Sequence, residues 1–131
     1  MLANIDIQGS GLVAASTSTS TAAGSYYFHW HRDAALTMYS LMKLNDFSLD
    51  SILDHLVNYN IHALSLQNTN AANGFDVRVE PKFTIPDGQV WTGAWCRPQI
   101  DGSALRLITL IKFADILFDS DQKDSIQKYQ L

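Results

Sequence analysis

Residues 103–118 place apolar side chains on nearly every side of a helix. A helix that is apolar all round is a buried one, because no side of it favours contact with water. The segment therefore predicts a helix that packs among several other helices. The chain has too few helices to provide all of these neighbours. The residues that carry this pattern are Leu105, Leu107, Ile108, Leu110, Ile111, Phe113, Ile116 and Leu117.

Two further segments have helical periodicity. A helix is predicted from Asp33 to about Leu44, with the Asp33 carboxylate well placed for the positive end of its dipole. Ser48 is a candidate N-cap for another helix that runs to about Leu66, where apolar residues recur at helical spacing. The chain is therefore predicted to be mostly helical.

Polar loops and one short strand are predicted between these helices. Residues 16–25 are of low complexity and too polar to pack, which indicates a loop; O-glycosylation in an exported protein is an alternative role for them. Residues 75–80 alternate apolar and polar side chains, as a strand does, up to Pro81. Residues 85–88 are predicted to form a turn.

Composition excludes several classes of partner. The chain has 131 residues, the length of one domain, and a net charge of −4, so it has no basic surface for nucleic acid or a polybasic membrane site. No apolar run reaches about 20 residues, and no secretory signal is visible, so secreted, vacuolar and intracellular locations all stay open. The single cysteine, Cys96, excludes an internal disulfide and is interpreted as a packing residue.

Aromatic residues stand beside an Arg and an Asp in two segments, each just before a predicted helix. Residues 26–37 read Tyr-Tyr-Phe-His-Trp-His-Arg-Asp-Ala-Ala-Leu-Thr, and residues 92–106 read Thr-Gly-Ala-Trp-Cys-Arg-Pro-Gln-Ile-Asp-Gly-Ser-Ala-Leu-Arg. The C–H faces of a sugar pack on aromatic rings. Its hydroxyls form hydrogen bonds with charged groups, worth about 1.5–3 kcal/mol each. The two segments are therefore candidates for a carbohydrate site.

The two segments resemble the substrate-binding loops of the glucoamylase family (glucan 1,4-alpha-glucosidases, glycoside hydrolase family 15). The family patterns are near Tyr-x-x-x-Trp-x-Arg-Asp and Gly-x-Trp-x-Arg-Pro-Gln-x-Asp-Gly-x-Ala-Leu-Arg. The resemblance covers about residues 12–114 and implies that 1–131 is an amino-proximal fragment of the catalytic domain. It implies an all-α fold, part of a six-over-six α/α barrel, whose remainder is the missing partner. The implied activity is release of glucose from the non-reducing ends of starch-like or glycogen-like α-1,4-glucans, a polysaccharide degradation that needs no cofactor.

The resemblance also assigns binding residues in the first segment. Arg32 and Asp33 match the positions that grip the terminal sugar; a surface ion pair at the helix start is the alternative. Tyr26 and Trp30 match aromatic residues of the same pocket, and core packing is the alternative for them. His31 stands where the family commonly has Thr. A metal site at His29 and His31 is not expected, because no cluster completes it.

The second segment supplies the other binding residues that the resemblance implies. Trp95 matches a position close to the catalytic acid, and Trp91 matches an aromatic site nearby, while Arg97 and Asp101 are polar residues near the helix start. Cys96 replaces a usual Gly and Ile100 a usual Arg. Lys82, in a third family-like string, is a candidate ligand for an outer sugar, or else a plain surface charge.

No catalytic residue is predicted in the chain. Inverting hydrolysis needs an acid and a base, and the family carries two glutamates after the Trp-x-Arg-Pro-Gln region. The chain has one glutamate, Glu80, and it precedes that region. The resemblance therefore implies part of a glucan-binding wall without catalytic groups. A non-catalytic carbohydrate-binding protein or a pseudogene remnant is the alternative.

Overall fold

The computed structural model describes residues 2–20, 25–44, 55, 58–59, 80–94 and 99–119. These residues form two helices, one small antiparallel sheet and two short 3-10 turns. Helix α1 is His31–Lys43, and helix α2 is Asp101–Asp119. Strand β1 is His29–Trp30, strand β2 is Lys82–Phe83, and the 3-10 turns are Leu2–Asn4 and Ile7–Gly9. The mostly helical prediction is therefore confirmed.

Helix α1 begins at His31, two residues before the predicted start at Asp33. The chain leaves β1 at Trp30, and the His31 backbone N–H donates to the Pro81 carbonyl at 3.0 Å, so the helix starts where the sheet ends. Asp33 in the first turn and Lys43 in the last both have the charge that the helix dipole favours.

Helix α2 also begins early, at Asp101 instead of Ser103. Within the described residues α1 covers only one face of this helix, in keeping with the expectation that the chain does not supply all the neighbours that an all-round apolar helix needs. Phe113 and Leu117 are buried there. Four of its other apolar side chains are at least half exposed, namely Leu107, Ile108, Ile111 and Phe118.

The two helices run in the same direction, with their amino termini side by side. Gly102 packs against His31 where both helices begin. Further along the two helices, a groove of about 260 Å³ lies between them. The groove residues are Ala35, Leu36, Tyr39, Leu105, Ile108 and Thr109. The core that joins α1, α2 and the amino-terminal segment consists of Ile5, Val13, Ala34, Met38, Leu41, Met42, Tyr59, Phe113 and Leu117.

Gly102 allows the close approach of the helix starts. A Cβ atom at this position would lie 2.7 Å from the His31 Cβ and 3.4 Å from the Arg32 backbone nitrogen. We expect Gly102→Ala to destabilise the intact protein by about 1–3 kcal/mol. The two neighbouring atoms are a Cβ and a backbone nitrogen of α1, which cannot move away as the end of a flexible side chain could. Thermal unfolding measures this effect. Ala104→Val, which adds bulk at an exposed position of the same turn, is the control, and an equal change in both variants would contradict the prediction.

The sheet joins segments that are distant in sequence. In β1 and β2, His29 pairs with Phe83 and Trp30 with Lys82, while single bridges link Ala14 to His29 and Phe83 to Val90. The strand predicted at 75–80 lies outside the described residues, apart from Glu80, which is in no strand. The predicted turn at 85–88 is confirmed.

Asp6 anchors the amino-terminal segment. Its carboxylate accepts hydrogen bonds from Asn58 at 2.8 Å and the Gly11 backbone at 2.7 Å, and it lies 3.0 Å from His55 Nδ1. Burial of the carboxyl raises its pKa, but these bonds outweigh burial, so the pKa is below its ordinary value. Of the helix predicted at 48–66, only His55, Asn58 and Tyr59 are described, and all three are helical. The other residues of that helix lie outside the described part of the chain.

Candidate functional site

Arg32 and Asp101 meet where the two helices begin. Arg32 Nε donates to Asp101 Oδ2 at 2.6 Å, and the two side chains are 43% and 45% exposed. The guanidinium hydrogen bond lowers the pKa of Asp101 below its ordinary value, so this carboxylate stays ionised. The structure therefore brings together one predicted residue from each of the two segments.

The neighbouring Asp33 is exposed in the first turn of α1. The ion pair considered for Arg32 involves Asp101 instead of Asp33, because the start of α2 lies directly beside Arg32. The Arg32 Nη atoms make no hydrogen bond to residues within the described ranges. Donor groups of Arg32 and the Asp33 carboxylate thus remain open to solvent on this side.

Lys82 lies among aromatic rings beside the helix starts. Its Nζ is 3.9 Å from the centroid of Phe28, 4.8 Å from that of Trp91 and 5.0 Å from that of Trp30. The residue is only 8% exposed. The expectation of a plain surface charge is therefore wrong, because sheet pairing turns Lys82 towards these rings.

Of the remaining residues that the sequence singled out, Tyr26 and Ile100 are described by the structure. Tyr26 is 44% exposed, and its carbonyl accepts hydrogen bonds from the Ser16 and Phe28 backbones. Ile100, at a departure from the family pattern, is 73% exposed. Trp95, Cys96 and Arg97 lie outside the described residues, so their predicted roles stay predictions.

A buried polar chain behind the site was missed in the sequence. The Val13 backbone N–H lies 3.0 Å from His29 Nδ1, His29 Nε2 lies 3.3 Å from His31 Nδ1, and Arg106 Nη1 donates to His31 Nε2 at 3.1 Å. His31 thus turns inward to α2, away from the solvent side. The alternation of His29, Trp30 and His31 was a usable signal, since it predicts histidines on one face and tryptophan on the other.

Two further features bear on chemistry. Glu80, the single glutamate, is 1% exposed. Within the described ranges, no three His, Cys, Asp or Glu side chains come together as metal ligands do.

Over the same residues, no helix has the length and apolar character needed to cross a bilayer.

Comparison with known proteins identifies the family to which this chain belongs. The family model of Glycosyl hydrolases family 15 matches residues 1–131. The chain is 41% identical to Glucoamylase 1 of Rhizopus oryzae, 38% to Glucoamylase-1 of Schizophyllum commune and 40% to Glucoamylase GLU1 of Saccharomycopsis fibuligera. The chain belongs to glycosyl hydrolase family 15, which confirms the resemblance.

These matches cover much of the chain but little of each relative. They include 88%, 92% and 79% of this chain, respectively, and 19%, 22% and 21% of the three relatives. The chain thus spans about a fifth of the length of the curated relatives it matches.

Proposed function

We propose that this chain forms part of the wall that binds the non-reducing end of an α-1,4-glucan in a glucan 1,4-alpha-glucosidase. The observation that supports this most is the contact between Arg32 and Asp101, which are 69 positions apart and meet at 2.6 Å. Each residue comes from a different family-like segment. A binding site built from both segments requires them to converge, and here they do.

The wall combines polar and aromatic contacts. The Arg32 Nη atoms are donors for sugar hydroxyls, and the carboxylates of Asp33 and Asp101 are acceptors. Trp30 and Trp91 offer ring faces for sugar C–H groups. Tyr26, Trp95 and Arg97 are proposed as further members on the basis of the family pattern.

The proposed fold is part of a six-over-six α/α barrel. The parallel course of α1 and α2 supports this proposal, since helices of one barrel layer run in one direction. The exposed Leu107, Ile111 and Phe118 on α2 would then face the remaining helices of the barrel. In this proposal 1–131 is the amino-proximal part of the catalytic domain, and 16–25 is a surface loop.

The proposal assigns both catalytic glutamates to protein outside these 131 residues. Glu80 is too deeply buried to reach a glycosidic oxygen. A non-catalytic glucan-binding or pseudogene remnant is the second candidate, favoured by the apolar Ile100 where the family usually has Arg. The coding sequence downstream of Leu131 separates the two, because only the enzyme needs two glutamates in family context there.

We expect Arg32→Lys in the intact protein to lower kcat/KM for maltose by about 10- to 100-fold, since one or more charged hydrogen bonds are lost. Lysine keeps the charge but lacks the planar fork that can hold Asp101 and a sugar together. Lys43→Arg, at the far end of α1, is the matched control. Undiminished activity of Arg32→Lys towards maltose would remove Arg32 from the site.

A further inference from the structure

We propose that Lys82 is a positioning residue whose ammonium group fixes the rings of Trp30 and Trp91 at the binding wall. Lys82 would thus act on the ligand through the rings. The inference rests on the proposed function for the identity of that ligand, an α-1,4-glucan.

The ammonium group occupies a position from which it attracts several rings at once. Its distances to the ring centroids of Phe28, Trp30 and Trp91 lie between 3.9 and 5.0 Å, all within the range of a cation–π contact. Burial of an ammonium group is unfavourable without compensating contacts. Lys82 is only 8% exposed, and the three rings are among the contacts that offset the cost of burying its charge.

The backbone sets the same arrangement. Trp30 is the direct partner of Lys82 in the β1–β2 register, and the Trp91 backbone N–H donates to the Lys82 carbonyl at 3.0 Å. Lys82 thus lies between the two tryptophans on adjacent stretches of chain. Phe28 and Trp91 also contact each other, with centroids 4.9 Å apart at an angle of 60°.

Gly93 lies close against the Trp91 ring. A Cβ atom at position 93 would lie 2.3 Å from Trp91 Cζ2 and 2.6 Å from Trp91 Cε2. Any side chain there would displace the ring. The ammonium group of Lys82 and the absence of a side chain at position 93 are two independent features that favour the observed position of the Trp91 ring.

The test uses the intact protein, labelled with 5-fluorotryptophan, with the resonances of residues 30 and 91 assigned by Trp30→Phe and Trp91→Phe. Lys82→Met is expected to shift and broaden both ¹⁹F resonances and to raise the dissociation constant for maltotriose about 5- to 30-fold. Lys82→Arg keeps a cation over the rings and should remain within about threefold of the parent protein. Lys43→Met removes a cation–π contact with Tyr39 on α1 and should change neither measurement.

Two double variants separate positioning from direct contact with sugar. If Lys82 acts through the rings, Lys82→Met lowers the affinity less in a Trp91→Leu or Gly93→Ala background than in the parent protein, because one of the two rings that it holds is already lost or displaced. Losses that multiply would mean direct contact with the sugar and would overturn the proposal, as would unchanged ¹⁹F resonances in Lys82→Met. If the intact protein binds no maltotriose, the proposed function fails, and the ¹⁹F spectra alone decide whether Lys82 holds the rings.

Discussion

The purified 131-residue chain is expected to release no glucose from maltotriose above the uncatalysed rate. General acid and general base assistance each contribute about 10²- to 10⁴-fold, and inverting hydrolysis needs both. Glu80 is buried, while the Asp101 carboxyl pairs with Arg32, whose hydrogen bond lowers its pKa. A carboxylate that stays ionised is a poor proton donor. Asp121 and Asp124 lie outside the described residues; they belong to a polar stretch of the sequence, where nothing is expected to raise the pKa of a carboxyl group for acid catalysis.

Glucose release is measured with Arg32→Ala and Asp101→Asn chains as controls. Contaminating glucosidase activity would be the same in all three preparations. Activity that either substitution abolishes would contradict the prediction, because it would mean that these 131 residues contain a working pair of carboxyl groups.

The isolated 131-residue chain is expected to self-associate. It is not expected to behave as a monomer that unfolds in one sharp thermal transition. Leu107, Ile108, Ile111 and Phe118 are 50–57% exposed on α2, and an apolar surface of this kind promotes association. We expect Leu107→Glu with Ile111→Lys to shift the chain towards monomer in sedimentation experiments.

Gln89→Lys, a charge added at an exposed position away from α2, is the control and should leave association unchanged. A monomeric parent chain with a sharp two-state thermal transition would contradict this account. It would mean that the chain forms a sufficient core by itself.

The helices were predictable because their cause is local. Apolar spacing on α1 and α2 revealed both helices, with starts displaced by two residues, since the ends depend on what each helix meets. His31 is helical because its N–H reaches Pro81, and Asp101 is helical beside Arg32. Neither contact is visible from spacing along the chain.

The sheet was not predictable, because it forms by contacts between segments that are distant in sequence. Pro81 indicates the end of a strand, yet the two residues after it form β2 by pairing with His29 and Trp30. The burial of Lys82 follows from that pairing and was missed with it. Family-like strings identified Arg32 and Asp101 separately, but only the fold establishes that they touch.

The most direct test of the glucan-binding wall is the equilibrium binding of maltotriose to the intact protein, with cellotriose as the β-linked comparison and catalysis blocked by low temperature. We expect saturable binding of maltotriose that is lost in Arg32→Ala and retained in Lys43→Ala, with weaker binding of cellotriose. Maltotriose binding of undiminished affinity in Arg32→Ala would contradict it.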